Sequence, residues 1–559
     1  MKFAMIGEHY SPRAQEGLVT GYNVATDDLT KAFLKWSQAE EISCVCRPDS
    51  HQASKLREII GNLPGKKEQE RVKLINELDL LFYGAEKMPQ VDILHSVKEE
   101  FQAPITLREN LRLPIPVTFT LHGIAEQHLI TDMFSPLLFW PFKPYDAVFC
   151  PTESVYKTVD AILTRLKEQT EYVLGTEIPR RIRLEKVPLG IDTDRFRPLD
   201  KQCAREHFVI PQNAFVILWF GRFSDLFKAD LHPLLQTFKN LINRNPSREM
   251  LLILAGSSDS MQYPEVIKRD IRALGIMDQV RILFHKDISD RTELYNVADV
   301  FTSPIDNLQE TFGLTPLEAM SCGIPQVVSD WDGYKDTVVD GVTGFRIPVY
   351  WTDCQDDLSA RDCFPVDRQL RRLLYQHLSV RSTALDCQVL DDRLQRLIDD
   401  PALRLCMSAA SRERAVKSYD LKNTVVRVEE IWDTLLEIAR KDSGRFGGVP
   451  MIDYCHDFKA YPTRMLDGGD LFGLTDEGRQ NGPNRLPIYN AFKHSIDEFS
   501  LVKQIYDQMM AQPPGTYLSM DHILAQNPTW TESQCKREIM YLFKNGILQM
   551  GPRSYNTSR

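Results

Sequence analysis

The stretch Ser303–Pro325, SPIDNLQETFGLTPLEAMSCGIP, decides how the rest of the chain is interpreted. It predicts the end of a strand, a loop and then a short helix. Thr315 can be the N-cap of that helix with Pro316 as its first residue, and Gly323 can end it. The amide groups of a helix start that follows a glycine-containing loop bind anions. The stretch therefore predicts a phosphate site.

Two carboxylates flank this helix start, Glu310 before it and Glu318 within it. The backbone amides between them that can point at an anion belong to Phe312, Gly313, Leu314 and Thr315. Carboxylates accept hydrogen bonds from neutral hydroxyls, and a phosphate flanked by hydroxyls describes a nucleotide-sugar. A second interpretation is a capping box, in which Glu318 only satisfies the backbone at the helix start.

The pattern E-x-F-G-L-x-x-L-E-A-M-x-x-G-x-P in this stretch resembles the E-x7-E signature of retaining glycosyltransferases of family 4, the glycosyl transferases group 1. The resemblance covers roughly residues 1–440. It implies an α/β GT-B fold, in which two Rossmann-like, doubly wound domains face each other across a cleft. It also implies that Glu310 contacts hydroxyls of the donor sugar and that Glu318 contacts the ribose hydroxyls.

The composition is that of an ordinary globular chain. Its 559 residues are enough for three domains, and 43% of them are hydrophobic. A net charge of −10 argues against a protein that coats nucleic acid. Eleven scattered cysteines predict reduced thiols. No apolar run approaches the about 18 residues of a membrane span, and the chain begins with a strand rather than a signal peptide. We therefore expect a cytoplasmic protein.

Short apolar strands alternate with helices over residues 1–190, which predicts a mainly parallel sheet in a first Rossmann-like domain. The first strand is Met1–Gly7 and the first helix is Thr26–Trp36. Further strands are predicted at ISCVC (42–46), VDILHS (91–96), PVTFTLHG (116–123) and DAVFCPT (146–152). No G-x-G-x-x-G motif follows the first strand, which excludes a nicotinamide-dependent oxidoreductase.

Two places in this domain carry candidate donor contacts. By the resemblance, Gly17 and Gly21 in EGLVTGYNV let the backbone approach the donor phosphates, since glycine has no Cβ to block an anion. Thr20 stands where the family has a glycine, and an ordinary turn is the other interpretation. His122 is implied to lie beside the donor sugar, where it orients the sugar and stabilises charge. A lone histidine is also often structural.

The loop and the helix that follow are interpreted more loosely. Glu126 and His128 could face the acceptor. The segment 163–186 is rich in charge and includes Arg180, Arg181 and Arg183. It favours either a peripheral contact with an anionic membrane surface, on the inner face, or an ordinary solvated face.

A second Rossmann-like domain is predicted over residues 191–440, and one of its strands ends at Arg222. GRFSDLFKADL resembles the family segment in which an arginine and a lysine clamp the two donor phosphates, and this implies that role for Arg222 and Lys228. Arginine suits bidentate phosphate contact and lysine adds a point charge. By the resemblance, the loop 285–288 packs over the nucleobase. Tyr334 and Asp336 stand where the family has a glycine and a glutamate.

The end of the chain departs from the family. Residues 350–386 are interpreted as an insertion with one helix, and the later helix Lys422–Lys441 is implied to fold back across the first domain. A linker, partly ordered, is predicted at 441–486. Residues 487–559 predict a small, mainly helical domain of three helices and the start of a β-hairpin, NGILQMG, which resembles a winged helix. Its nearly balanced charge indicates a protein-contact or homo-oligomer domain and no nucleic acid.

Two functions of different kinds stay open. The first is a hexosyltransferase-type enzyme that moves a sugar from a nucleoside diphosphate sugar to a glycan, lipid or small molecule, by front-face attack with retention. A UDP-sugar is expected from its frequency alone. No cofactor is expected, and no metal, because no Asp-x-Asp motif is placed for donor binding. The second is a GT-B-shaped interaction protein that acts through residues 487–559. It is motivated by departures from the family at Thr20, Leu189, Ala229 and Tyr334.

Overall fold

The computed structural model of the chain describes residues 1–7, 21–83, 87–258, 262–284, 288, 290–357, 367–442, 444–483 and 498–551. The chain divides into two compact units, of which one comprises Met1–Glu77 and Met88–Val449 and the other Leu78–Lys87 and Pro450–Arg559. Several predicted features lie outside the described residues, namely Gly17, Thr20, most of the nucleobase loop (285–287) and part of the insertion (358–366).

The first unit begins with a seven-stranded parallel sheet in the order β3-β2-β1-β4-β5-β6-β7. Its strands are β1 (Lys2–Met5), β2 (Glu41–Cys46), β3 (Val72–Asn76), β4 (Ile93–Ser96), β5 (Val117–Thr120), β6 (Ala147–Cys150) and β7 (Arg183–Lys186). The helices between them along the chain are α1 (Gly21–Trp36), α2 (His51–Gly61), α3 (Lys66–Glu70), α4 (Glu77–Tyr83), α5 (Gln102–Leu111), α6 (Ser135–Phe139) and α7 (Glu153–Leu174). Of these, α4 belongs to the second unit from Leu78 onward. Both faces of the central strands are buried, as expected for a covered parallel sheet.

The sequence pattern did not reveal the two edge strands, β3 and β7. Their sequences, VKLIN and RLEK, include charged or amide side chains, because an edge strand is only half buried. Strand β7 lies inside the segment predicted as a basic run. There Arg180 pairs with Asp160 at 2.6 Å, and Arg183 pairs with Glu185 at 3.3 Å. These carboxylate partners favour the solvated-face interpretation of that segment.

The second sheet of this unit has six parallel strands in the order β10-β9-β8-β11-β12-β13. Its strands are β8 (Phe215–Phe220), β9 (Met250–Gly256), β10 (Val280–Phe284), β11 (Val300–Ser303), β12 (Gln326–Ser329) and β13 (Gly344–Ile347). The helices along this part of the chain are α8 (Lys201–His207), α9 (His232–Arg244), α10 (Gln262–Leu274), α11 (Arg291–Asn296), α12 (Leu314–Ser321) and α13 (Tyr334–Thr337).

The strand order reverses once in each sheet, between β1 and β4 in the first and between β8 and β11 in the second. In an open parallel sheet, ligands bind beyond the carboxyl ends of the strands at such a switch point. Two doubly wound sheets of this kind confirm the predicted pair of Rossmann-like domains. The loops after β8 and β11 are therefore where a ligand site is expected in the second domain.

The predicted insertion has a stem of two antiparallel strands, β14 (Val349–Trp351) and β15 (Thr383–Leu385). Between them along the chain lies helix α14 (Arg368–Arg381), whose start is capped by the side chain of Asp367. Because the strands pair with each other, the insertion leaves and re-enters the domain at neighbouring points.

Three long helices complete the unit: α15 (Cys387–Asp399), α16 (Pro401–Tyr419) and α17 (Leu421–Ala439). Helix α17 packs on the first sheet. The indole of Trp432 stacks on Phe33 with 5.5 Å between ring centres, and its N–H donates to Thr118 Oγ1 at 3.0 Å. The end of the second domain is thereby buried in the core of the first.

The second compact unit has a three-stranded sheet and short helices. Its elements along the chain are α18 (Tyr454–Asp457), β16 (Leu471–Leu474), α19 (Asp476–Asn481), α20 (Glu498–Met510), β17 (Leu518–Ser519), α21 (Met520–Ala525), α22 (Glu532–Lys544) and β18 (Leu548–Met550). Strand β16 is the middle strand and runs antiparallel to both neighbours. The winged-helix likeness stays a prediction.

Two expectations for this region need correction. The linker predicted at 441–486 is wrong in part, because β16 and α19 lie within it and Phe472 packs in the same core as Ile505 and Ile539. Strand β18, predicted to open a hairpin, pairs with the upstream β16, and the second strand of that hairpin would fall in 552–559, outside the described residues. Within the described ranges, no helix combines the length and apolar character that crossing a bilayer requires.

Candidate active site

The loops after β8 and β11 meet at the switch point of the second sheet, and two predicted residues meet with them. The Lys228 ammonium group forms an ion pair with Oε2 of Glu310. The two side chains are 13% and 12% exposed, so water screens the pair only in part. The structure thus brings a cation suited to phosphate next to a carboxylate suited to hydroxyls.

Arg222 lies on the same loop as Lys228. Its Nη2 atom donates to the carbonyl oxygen of Phe227 at 3.3 Å, and its guanidinium carbon lies 5.5 Å from the centre of the Phe227 ring. A Cβ at Gly221 would stand 3.0 Å from Cε of Lys228, so the glycine lets the lysine stem lie close to the strand end. One loop therefore holds both predicted phosphate ligands.

Helix α12 begins two residues earlier than predicted. Its N-cap is Gly313, with a φ of 91°, and Leu314 is its first residue. Thr315 as N-cap is therefore wrong, because the chain enters the helix through a left-handed conformation that favours glycine. The amides of Leu314 and Thr315 lie in the first turn, where N–H groups have no acceptor within the helix. The Thr315 hydroxyl also has no hydrogen-bond partner among the described residues.

The position of the Tyr334 ring explains why residue 313 is a glycine. A Cβ on Gly313 would lie 2.1 Å from the Tyr334 ring. The buried Tyr334 hydroxyl donates to Glu310 Oε2 at 3.3 Å and shares a 2.8 Å hydrogen bond with Ser303. Burial and the charge of Glu310 raise the pKa of Tyr334 well above its usual value. The departure from the family at this position thus orients Glu310, a role that sequence reasoning missed although Tyr334 had been singled out.

Glu318 lies on α12 and is 2% exposed. The Tyr295 hydroxyl donates to its Oε2 at 2.7 Å, and Nη2 of Arg291 lies 3.2 Å from its Oε1. Burial raises the pKa of Glu318, and the Arg291 charge opposes that rise. The helix has no side-chain cap, so the capping-box interpretation is wrong. Sequence reasoning missed both partners, since α11 meets α12 only in the folded chain.

His122 lies just beyond the end of β5. Its Nε2 is 2.7 Å from the carbonyl oxygen of Val97; because a carbonyl oxygen only accepts, Nε2 is the donor, and Nδ1 is the ring nitrogen left for a second hydrogen bond. Nδ1 is buried and has no partner in the part of the chain that the structure describes. The Glu99 carboxylate accepts from the backbone N–H groups of His122 at 2.5 Å and Gly123 at 3.0 Å. These hydrogen bonds fix the loop, and Nδ1 of His122 stays unused by the described residues.

The loops of the two domains touch at His122. The Thr311 hydroxyl donates to the His122 carbonyl oxygen at 2.5 Å. Because Thr311 directly follows Glu310, this bond brings the predicted histidine and the predicted carboxylate onto contacting loops. The candidate site is therefore shared by the carboxyl ends of both sheets.

A second link joins the start of α7 in the first domain to the loop around Tyr334. The Thr152 hydroxyl donates to Asp332 Oδ1 at 2.9 Å, and the Glu153 N–H donates to Asp336 Oδ2 at 2.7 Å. Asp336, which stands near the family's glutamate position, thus binds the positive end of a 22-residue helix. Sequence reasoning had no signal for this contact between the domains.

Gly21 is the first residue of α1. Among the described residues, no heavy atom lies within 4 Å of where its Cβ would stand, so its place in a donor contact stays a prediction. The next residue, Tyr22, packs edge-on against the His122 ring at 5.1 Å and donates to Glu99 at 3.0 Å. The start of α1 is therefore held beside His122.

A metal site would need several ligating side chains together. In the described part of the chain, no three His, Cys, Asp or Glu side chains are grouped so that they could hold an ion. Metal independence nevertheless stays a prediction, as does the absence of a cofactor.

Residues 200–359 match the family model of glycosyl transferases group 1. This group 1 region contains most of the candidate site, namely Arg222, Lys228, Glu310, Phe312, Gly313, Leu314, Thr315 and Glu318. His122 and Gly21 lie outside it.

Curated relatives resemble the chain over part of their length. The D-inositol 3-phosphate glycosyltransferase 2 of Catenulispora acidiphila is 37% identical over 166 residues, which are 29% of this chain and 38% of that protein. The D-inositol 3-phosphate glycosyltransferase of Actinosynnema mirum is 32% identical over 255 residues, 44% of this chain and 58% of the relative. The chain thus spans less than two thirds of the length of these relatives.

Solved structures share the fold beyond the group 1 region. Anabaena HepE in complex with UDP and glucose has a TM-score of 0.50 at 15% identity, covering 78% of this chain and 100% of HepE. The N-terminal domain of Candida albicans trehalose-6-phosphate phosphatase also has a TM-score of 0.50, at 12% identity over 77% of this chain and 96% of that domain. This likeness concerns the fold and confirms the GT-B arrangement.

Proposed function

We propose that this protein is a glycosyltransferase that moves a sugar from a nucleoside diphosphate sugar to an acceptor hydroxyl with retention of the anomeric configuration. The observation that carries the proposal is the Lys228–Glu310 pair at the switch point of the second sheet. It lies within the group 1 region, beside Arg222 and the start of α12. An interaction protein would have no need of this combination of residues.

The donor fits the unused bonding capacity of these side chains. An ammonium group has three N–H donors, so Lys228 can bind a phosphate while it keeps Glu310. Arg222 and the first amides of α12 supply further donors to the diphosphate. Each carboxylate oxygen has two lone pairs, so Glu318 can accept from ribose hydroxyls while Tyr295 and Arg291 hold it. We assign the hydroxyls of the donor sugar to Glu310 and Nδ1 of His122.

The reaction then follows from where charge develops. The bond from the sugar C1 to the diphosphate oxygen breaks, and the acceptor oxygen bonds to C1 on the same face. The acceptor's proton passes to the leaving phosphate oxygen. The sugar is oxocarbenium-like in between, and Arg222 and Lys228 stabilise the negative charge that grows on the diphosphate. The contacting loops of the two domains exclude water, which would otherwise compete as acceptor.

The identities of donor and acceptor are separate parts of the proposal. HepE is solved with UDP and glucose, and its shared fold supports UDP as the first nucleotide to test. The relatives are named as D-inositol 3-phosphate glycosyltransferases, which supports a polyol or its phosphate as the acceptor. We propose that the reaction needs no cofactor and no metal ion.

A thermal-shift assay of the full chain with UDP, GDP and ADP, each with and without EDTA, tests donor binding. A ligand at 100 times its Kd should add about 2.7 kcal/mol of stability. We expect a shift with one nucleotide that EDTA leaves unchanged. Glu318→Gln should remove most of it, and the exposed Glu265→Gln should keep it. If none of these nucleotides shifts the wild type, the transferase proposal fails and the interaction protein is favoured.

A further inference from the structure

Two adjoining cavities lie between the insertion and the first domain. The smaller has a volume of about 650 Å³ and is lined by Ala125, Gln127, Arg165, Leu308, Gln355, Tyr375, Gln376 and Ser379. The larger has a volume of about 1120 Å³ and shares Ala125, Gln127, Tyr375 and Gln376 with it. The smaller volume lies within the about 300–1,000 Å³ of ordinary ligand pockets.

The cavities lie next to the candidate active site. Ala125 is three residues after His122 on the first-domain loop, and Leu308 is two residues before Glu310 on the second-domain loop. The opposite wall is the insertion helix α14, through Tyr375 and Gln376. A molecule in the smaller cavity would therefore be flanked by the two loops that the proposed donor sugar contacts.

The buried amide of Gln376 points to a ligand. Its side chain is 3% exposed, and its Oε1 has no hydrogen-bond partner among the described residues. A buried acceptor without a donor is unfavourable by about 1–3 kcal/mol, so a native fold rarely keeps one without a use. Gln376 lines both cavities, so a hydroxyl group of a molecule bound there could supply the missing donor.

The insertion is tied to both domains at this point. Arg372, on α14, donates from Nε to Glu126 Oε1 at 2.7 Å, and Glu126 belongs to the loop that lines the larger cavity. The Arg372 guanidinium carbon also lies 4.8 Å from the centre of the Phe227 ring. Phe227 directly precedes Lys228 and packs against Arg222 on its own loop. One side chain of α14 thus contacts the first-domain loop and the proposed phosphate loop.

We propose that the cavity between α14 and the loop 124–132 is the acceptor site, and that Gln376 binds a hydroxyl of a polyhydroxylated acceptor ring. The inference rests on the proposed function. Neutral amide, hydroxyl and aromatic groups dominate the smaller cavity, and they suit hydroxyls and the apolar face of a sugar or polyol ring. The larger cavity contains Arg371 and Arg372 beside carboxylates, so the acceptor can be a free or a phosphorylated polyol. The insertion then determines acceptor specificity.

Saturation-transfer NMR on the full chain with saturating UDP tests the site, with D-glucose, myo-inositol, glucose 6-phosphate and myo-inositol 3-phosphate as probes. We expect at least one probe to bind. Gln376→Leu should weaken probe binding about tenfold, which is the effect of losing one hydrogen bond. The substitution should leave the UDP thermal shift unchanged. It should raise the Tm of the free protein, because it removes the unpaired buried oxygen. The matched control Gln388→Leu, at an exposed position of α15 outside both cavities, should bind as the wild type does.

The outcomes separate this inference from the proposed function. Binding of the neutral probes shows that ring hydroxyls suffice, and binding of the phosphorylated probes alone shows that a phosphate is also required; both support the site. If UDP shifts the wild type but no probe binds, the acceptor site is wrong while the donor proposal survives. Equal probe affinity in Gln376→Leu overturns it too. If UDP, GDP and ADP all leave the Tm of the wild type unchanged, the proposed function is overturned, and this inference with it.

Discussion

The ammonium group of Lys228 is held by Glu310, which is itself held by Tyr334. Because this chain of contacts fixes the cation before a donor arrives, its charge is in place when the diphosphate leaves. We expect Lys228→Ala to lose about 2–4 kcal/mol of transition-state stabilisation, roughly one and a half to three powers of ten in kcat/KM. Kinetics of sugar transfer measure this loss, with Lys268→Ala, at a partly exposed position of α10, as the control. Unchanged turnover in Lys228→Ala would remove the residue from the mechanism.

Asp332 makes the stability of the fold depend on pH. Burial raises the pKa of its carboxyl from 3.8 to about 7, although Thr152 donates to it. Between these values the folded protein keeps a proton that the unfolded chain releases, so stability falls as the pH rises through this window and then stays constant. Removing the carboxylate should remove that fall.

The substitution Asp332→Asn tests this sign. It keeps an oxygen for the Thr152 hydroxyl and suits the φ of 34° at this position. Relative to Asp332→Asn, we expect the wild type to lose up to about 1.4 kcal/mol per pH unit between pH 4 and pH 7. Calorimetric Tm profiles measure it, with the exposed Asp278→Asn expected to follow the wild type. Parallel profiles for Asp332→Asn and wild type would contradict the assignment.

At the scale of the element, the start of α12 depends on one glycine for two reasons. Gly313 has a φ of 91° and stands against Tyr334, whereas Gly341 has a φ of 74° with no heavy atom of the described residues within 4 Å of a Cβ. Alanine at either position incurs about 1–2 kcal/mol for the left-handed backbone. Only Gly313→Ala should lose roughly a further 1–3 kcal/mol of stability, because its Cβ would clash with the Tyr334 ring. Denaturant unfolding of both variants measures the difference, which Tyr334→Ala should reduce. Equal losses would contradict the contact.

The elements show what the sequence could predict. Apolar central strands such as β8 and β11 were predictable because both of their faces are buried. The edge strands β3 and β7 were not, since their polar residues resemble loops. The start of α12 was misplaced because Thr315-Pro316 is a good local cap, while the true entry at Gly313 depends on Tyr334, a contact distant in sequence. Lys228 and Glu310 were found as candidates, but their pairing needed the fold.

At the scale of the whole molecule, the boundary of the C-terminal unit follows from β16. This strand lies in a glycine-rich stretch that sequence analysis assigned to a linker, because its two partners, β17 and β18, come later in the chain. Pairing between distant segments leaves no local pattern. The structure therefore moves the start of the C-terminal part of this unit, which also includes Leu78–Lys87, upstream to Pro450, and this shift can be tested with fragments.

We expect a fragment of residues 450–559 to unfold cooperatively and a fragment of residues 487–559 to lack a cooperative transition. The shorter fragment loses the middle strand, and with it the buried side chains of Phe472 and Leu474. Removing one large buried side chain already destabilises a fold by about 2–5 kcal/mol, and a unit of this size has little more than that to lose. Circular dichroism during heating measures both fragments. Phe472→Ala in the longer fragment should lower its Tm strongly, while the exposed Tyr461→Ala should not. A shorter fragment that melts as sharply as the longer one would show that β16 is dispensable.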